Sequence, residues 1–229
     1  MAKRKSAAAP TTAKSDWGAL AHLPQGTLRS YTVGALPILD HFFQRMHLEE
    51  ILEAHLPHKD RRRKLPVARG LLVLIKNLLL SREPLYGLGE WAARHDANAL
   101  GLAAMPIGIL NDDRAGRCLT AFFCCDRPAF VLDLVRHVMG EFSLNLDELH
   151  NDSTTVSFFG AYTDAATEKS RHGQTTLAIT WGHNKDHRPD LKQLLYILTI
   201  TDDGGVPVHY STTGIKTGPN REQWRNILG

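Results

Sequence analysis

The chain is poor in cysteine, with Cys118, Cys124 and Cys125 the only three in 229 residues. They form no C-x-x-C pair and no even set, which excludes a disulfide scaffold and points to a reducing, cytosolic compartment. Long apolar runs are also missing. The most hydrophobic stretch, Leu71–Leu80 ("LLVLIKNLLL"), is too short for a membrane span and contains Lys76 and Asn77. It reads as a buried helix, so no membrane contact is expected. The opening "MAKRKSAAAPTTAKSD" has basic residues but no apolar core, which excludes a signal peptide and leaves a flexible basic arm over residues 1–30. No internal repeat is found. What is present is an ordinary globular composition, 43% hydrophobic, long enough for one large domain or two small ones.

Charge is unevenly spread. Residues 1–82 hold 14 Lys and Arg against 6 Asp and Glu, a balance of +8, whereas residues 83–229 hold 13 against 18, a balance of −5. A basic front and an acidic back fit a polyanion at one end and a cation at the other. A solvated basic tail with no partner gives the same pattern.

From Gly34 to Leu56 the apolar residues follow a helical period with a break near His47, and Pro57 ends it. The run "HKDRRRKLP" is exposed and basic. Pro66 opens a helix over Val67–Ser81, and Pro84 opens one around Leu85, Leu88 and Trp91. Asn111-Asp112-Asp113 is a good N-terminal cap for a helix over Arg114–Cys125, and Pro128 starts another over Ala129–Phe142. Residues 31–143 thus read as an all-helical domain. The texture changes near Leu144. Residues 147–159, 191–201 and 206–212 carry strand signals, and Asp202-Asp203-Gly204-Gly205 joins the last two as a hairpin. The fold class is α+β, helices first.

Three constellations carry chemistry. Asp152 sits in "HNDSTTVSFF", a segment that otherwise reads as a buried strand. A carboxylate is costly to bury there unless it is paired or binds a hard cation such as Mg²⁺. It fits equally well as a turn acid bonding Ser153 or Thr155. The second is "GHNKDHRPDLKQ", where Lys185, Arg188 and Lys192 around Asp186 and Asp190 suit phosphate contact or a solvated, self-neutralising loop. His183 and His187 there lack a third spaced ligand for zinc. The third pairs the Trp91 helix with Arg114 and Arg117, as a loose helix-turn-helix or a plain bundle with exposed arginines.

Taken together, these segments resemble bacterial insertion-sequence transposases of the DDE class, in the broad insertion-sequence-four-like group. "VGALPILDHFFQRMHLEEILEAHLP" is similar to that family's helical N-terminal region. "LHNDSTTVSFFGAY" is similar to the strand bearing its first catalytic Asp. "WGHNKDHRPDLKQLLYILTITDDGGVPVHY" resembles its G-x-S/N-K-D-x-R-P-D-L-K-Q signature and the hairpin that follows. The resemblance covers residues 30–213. It implies an RNase H-like α/β domain beginning at residue 144, in which three acids gather two Mg²⁺ or Mn²⁺ ions that cut and join double-stranded DNA at transposon ends. Asp152 matches the first acid and would be the catalytic metal ligand. Duplex contacts are expected from Lys3, Arg4, Lys5, Arg61, Arg62, Arg63, Lys64, Arg114, Arg117, Lys185 and Arg188. Both a monomer and a homo-oligomer remain open.

The departures from the family's pattern are equally specific. Its second Asp and its Glu lie beyond the third strand, and residues 214–229 contain one acid, Glu222. Where the family continues with G-N-T and an Asp, this chain has Gly214-Ile215-Lys216-Thr217-Gly218. The expectation is therefore residues 144–229 as an incomplete RNase H-like domain with an open sheet edge, holding no metal tightly and not catalytic alone. A non-catalytic DNA-binding protein that occupies transposon ends, and a fragment with no stable fold, remain as alternatives.

Overall fold

The computed structural model describes residues 30–57, 64–103, 105–165, 169–181 and 188–214. Six α-helices come first: α1 (Leu36–Arg45), α2 (Leu48–His55), α3 (Val67–Leu80), α4 (Leu88–Ala93), α5 (Asp112–Phe123) and α6 (Arg127–Phe142). Antiparallel strands follow, which makes the fold α+β with the helices N-terminal.

Local signals place the helix boundaries. The break between α1 and α2 is His47, held at φ 48°, a left-handed conformation that a continuing helix does not accept. The Asn111 side chain accepts a hydrogen bond from the Arg114 backbone N–H and caps α5. The Asp126 carboxylate does the same for α6, accepting from Ala129 N–H, with Pro128 in the first turn. A 3₁₀ turn (Leu85–Gly87) leads into α4.

The helical core gathers Leu36, Phe43, Leu52, Val73, Leu88, Trp91 and Ala115. α3 is its axis, packed against α2 and α5, while α6 packs on α2. The run that reads as a buried helix is α3, and its two polar residues have partners. Lys76 Nζ lies 2.6 Å from Asp40 Oδ1 and donates to the Ala99 carbonyl at 2.9 Å. Asn77 bonds Glu83 through both ends of its amide. Among the described residues no helix is long and apolar enough to cross a membrane.

The main sheet is built from β1 (Leu149–Phe158), β4 (Thr180–Trp181), β5 (Lys192–Thr201) and β6 (Pro207–Gly214). Two further short strands, β2 (Ser170–Arg171) and β3 (Gln174–Thr175), form their own hairpin. β5 is the central strand. β1 lies along its whole length, from Leu149 opposite Thr201 to Phe158 opposite Lys192. The other edge of β5 takes β4 at Lys192 and Gln193 and β6 over the rest, with a bulge between Thr199 and Ile200.

The Asp-Asp-Gly-Gly turn closes the β5–β6 hairpin. Gly204 (φ 76°) and Gly205 (φ 64°) supply its two left-handed positions. The wholly buried Thr201 ties the turn down, its hydroxyl donating to the Asp203 carbonyl and accepting from Val206 N–H. One expectation fails here. β1 is not a buried strand: it pairs only with β5 among the described residues, and its first four residues, Leu149–Asp152, are all exposed. Its Thr- and Val-rich composition suits one covered face, not two.

Candidate functional site

Asp152 stands in the exposed half of β1, directly opposite Leu198 of β5, which is in turn opposite Tyr210 of β6. Side chains alternate across a strand, so Asp152 shares its face with His150 and Thr154, while Ser153 and Thr155 point the other way and are half-buried. Its Oδ1 accepts a hydrogen bond from the Ser153 backbone N–H at 2.7 Å. This is the local bond a turn acid would make, on a residue that is exposed.

Near the start of the same strand, the fold brings together three ligand-type side chains that the sequence reading did not single out. Glu148, His150 and Asp202 place donor atoms within 4.8 Å of one another, all exposed. His150 Nε2 lies 2.8 Å from Asp202 Oδ1, and that hydrogen bond raises the imidazole pKa above its ordinary value. Asp202 N–H donates to the Glu148 carbonyl, which fixes the turn against the start of β1. The spacing Glu-x-His hinted at the set, but Asp202 joins it only through the β1–β5 pairing. Asp152 is not a member.

The metal that the resemblance implies can be weighed on this donor set. Asp152 offers one hard oxygen ligand, suitable for a divalent ion. Two ions held for in-line displacement need more carboxylates than one. Asp152 joins no described group of three ligand-type side chains, so the described residues form no two-metal centre around it.

The described part of the R-P-D-L-K-Q segment has a structural role. Arg188 grips Asp190 through two parallel bonds, Nε to Oδ1 at 2.8 Å and Nη2 to Oδ2 at 2.7 Å, which lowers the Asp190 pKa and raises that of Arg188. Lys192 does not face a phosphate: it is almost fully buried and donates from Nζ to the carbonyls of Ala161 (2.6 Å) and Tyr162 (2.8 Å) in the turn after β1. Gln193 donates from Nε2 to the Arg188 carbonyl at 3.2 Å. Residues far apart in sequence thus close around the exit of β1.

The remaining basic candidates are placed as follows. Lys3, Arg4, Lys5, Arg61, Arg62, Arg63 and Lys185 lie outside the described residues, as do Asp186, His183 and His187. Lys64 is exposed. Arg114 folds back on its own helix start, donating to the carbonyls of Gly108 and Ile109. Arg117 pairs with Asp113 one turn earlier. Each would have to exchange these partners for a phosphate. Trp91 is in the core, its indole N–H donating to Ser81 Oγ at 2.8 Å, so it is no surface residue of a recognition helix.

The order of elements and this site define an α+β protein whose helical half precedes an antiparallel sheet with an exposed acid on its edge strand. Residues 28–135 match the model of a family described as Domain of unknown function (DUF4277). The match spans α1 to α5 and the first half of α6, and stops before β1 and Asp152. No curated protein matches the chain, and no solved structure does.

Proposed function

We propose that this chain is part of a DNA transposition system of the DDE class, acting on insertion-sequence ends, with Asp152 as the first of three metal-ligating acids. The observation that carries the reading is the setting of Asp152. It lies on the first strand of an antiparallel β1–β5–β6 meander that follows a helical half, with the R-P-D-L-K-Q residues closing around that strand's exit. The basic balance of residues 1–82 supports duplex DNA as the partner. Among the described residues, Asp152 is the acid that matches this arrangement.

A second reading is a DNA-binding protein that occupies transposon ends without cutting. That Asp152 joins no described group of three ligand-type side chains favours it. The two share end binding and differ in whether Asp152 matters.

The test is a titration of the purified chain against duplex DNA carrying the terminal repeats of its own element and against a scrambled duplex, over a series of salt concentrations. Tighter binding to the end duplex, falling as salt rises, is expected. Equal binding to both duplexes sinks both readings. Asp152→Ala should leave end binding unchanged and abolish cleavage in any assay that restores the other two acids. Cleavage that survives the substitution leaves the second reading standing.

A further inference from the structure

Glu148, His150 and Asp202 meet where β1 begins and the β5–β6 turn starts, at the opposite end of β1 from Lys192. Register brings them together. Leu149 is directly opposite Thr201, so the next pair outward sets Glu148 across from Asp202. The Asp202 backbone N–H donates to the Glu148 carbonyl at 3.1 Å and holds that pair in step. Side chains two apart on an extended chain point the same way, which brings His150 alongside Glu148. Its Nε2 lies 2.8 Å from Asp202 Oδ1.

Charge calls for a cation there. Two carboxylates facing each other across neighbouring strands repel. Asp147 and Asp203, both exposed, add charge of the same sign on either side. Among the described residues, no Lys or Arg forms an ion pair with Glu148 or Asp202.

The donor set selects the kind of cation. One imidazole nitrogen with two carboxylate oxygens suits a zinc-type ion, whereas Mg²⁺ and Ca²⁺ take oxygen ligands. Metal–ligand bonds of about 2.1 Å set tetrahedral ligands about 3.4 Å apart. The donor atoms of the three residues lie within 4.8 Å of one another, and the closest contact is 2.8 Å. Shifts of roughly 1 Å bring them to the right spacing, and exposed side chains make these by turning about their own bonds. The backbone beneath them is already set by the turn glycines and the Thr201 hydroxyl. An ion would enter between His150 Nε2 and Asp202 Oδ1 in place of the hydrogen bond. Glu148 would close in as the third ligand, with water in the fourth position.

We propose that Glu148, His150 and Asp202 form a binding site for one divalent transition-metal ion of the zinc type, which clamps the β5–β6 turn to the start of β1. Asp152 is not part of it, and the inference does not rest on the DNA reading.

The experiment is a calorimetric titration of the metal-free full chain with Zn²⁺, repeated with Mg²⁺ and on variants. The chain holds 12 His, so uptake of Zn²⁺ decides nothing until the variants are compared. His150→Ala and Asp202→Asn should each weaken the binding of one Zn²⁺ by about tenfold or more. Their melting temperatures without metal should match the parent's, and the rise that Zn²⁺ gives the parent should be lost. Glu148→Gln keeps the side-chain shape and the backbone bond to Asp202, so the same loss in that variant separates lost ligation from a folding defect. Mg²⁺ should not compete, and Asp152→Asn should take up Zn²⁺ as the parent does. Zn²⁺ binding unchanged in His150→Ala and Glu148→Gln overturns the proposal, as does Mg²⁺ bound as tightly as Zn²⁺ or no binding of Zn²⁺ at all. Loss of the ion in Asp152→Asn overturns it too, and assigns the ion to that acid. No DNA is present, so failure here leaves the end-duplex preference standing, and loss of that preference leaves this result standing.

Discussion

Lys76 shows how one charged residue can sit inside the most apolar helix of the chain. Its side chain is 3% exposed, and its ammonium meets Asp40 and the Ala99 carbonyl. Removing the cation would strand a half-buried carboxylate and an unmatched carbonyl. Lys76→Ala should therefore cost about 2–4 kcal/mol, measured by urea unfolding. Replacing both partners with apolar residues of similar volume should cost less than the sum of the single changes. Charge at position 76 was legible as an argument against a membrane span, but its partner was not, because Asp40 comes from α1 and Ala99 from the segment after α4. Asp152 is the converse case. Its place on a strand was legible, while its exposure was not, since that depends on which edge of β5 the strand occupies.

At the scale of elements, close approach is set by small residues. In α4, a Cβ at Gly89 would lie 2.8 Å from the Leu110 carbonyl oxygen, a backbone atom that cannot turn away. Alanine is the better helix former by about 1 kcal/mol, yet Gly89→Ala should destabilise by roughly 1–3 kcal/mol because the α4 backbone has to back off. A melting temperature that rises would show that the segment before α5 gives way easily. The cap at Asn111-Asp112-Asp113, the prolines and the Asp-Asp-Gly-Gly turn were readable, since each acts within a few residues, whereas the Asp126 cap of α6 was not singled out. The two-residue strands β2, β3 and β4 were not, because so few residues carry no period. β4 exists only because Lys192 and Gln193 of β5 extend beyond β6.

At the scale of the whole molecule, α1 and α6 are bridged across 96 positions by Arg45, whose Nε donates to Glu141 Oε1 at 2.7 Å while its guanidinium stacks over Phe142. The hydrogen bond from Arg45 holds the Glu141 carboxyl below its ordinary pKa, with His137 and His47 adding a smaller effect of the same sign. A carboxyl whose folded pKa is depressed stabilises the fold above its unfolded pKa, and that share is lost as pH falls through the folded value. The melting temperature of the parent should therefore drop more steeply than that of Glu141→Gln on acidification through the carboxylate range, and added salt should shrink the difference. Parallel curves for the two proteins would show that the bridge contributes nothing. The outer edge of β1 belongs to this scale too. The strand has no proline and no lysine, the residues that commonly blunt a free edge, and among the described residues nothing pairs with it.

The sequence by itself determined the α+β class, the helix starts and stops, the β5–β6 hairpin and the presence of an acid on the first strand. These follow from periodicity, capping and turn chemistry, which act over a few residues. Only the tertiary structure decided which face Asp152 occupies, that Glu148 and His150 meet Asp202, and that Lys192 pins the aromatic turn after β1. Each of those depends on strand register between segments some 30 to 50 residues apart, as with Lys192 to Ala161 and His150 to Asp202. Register is fixed by which face of the sheet is buried, and that is a property of the assembled molecule.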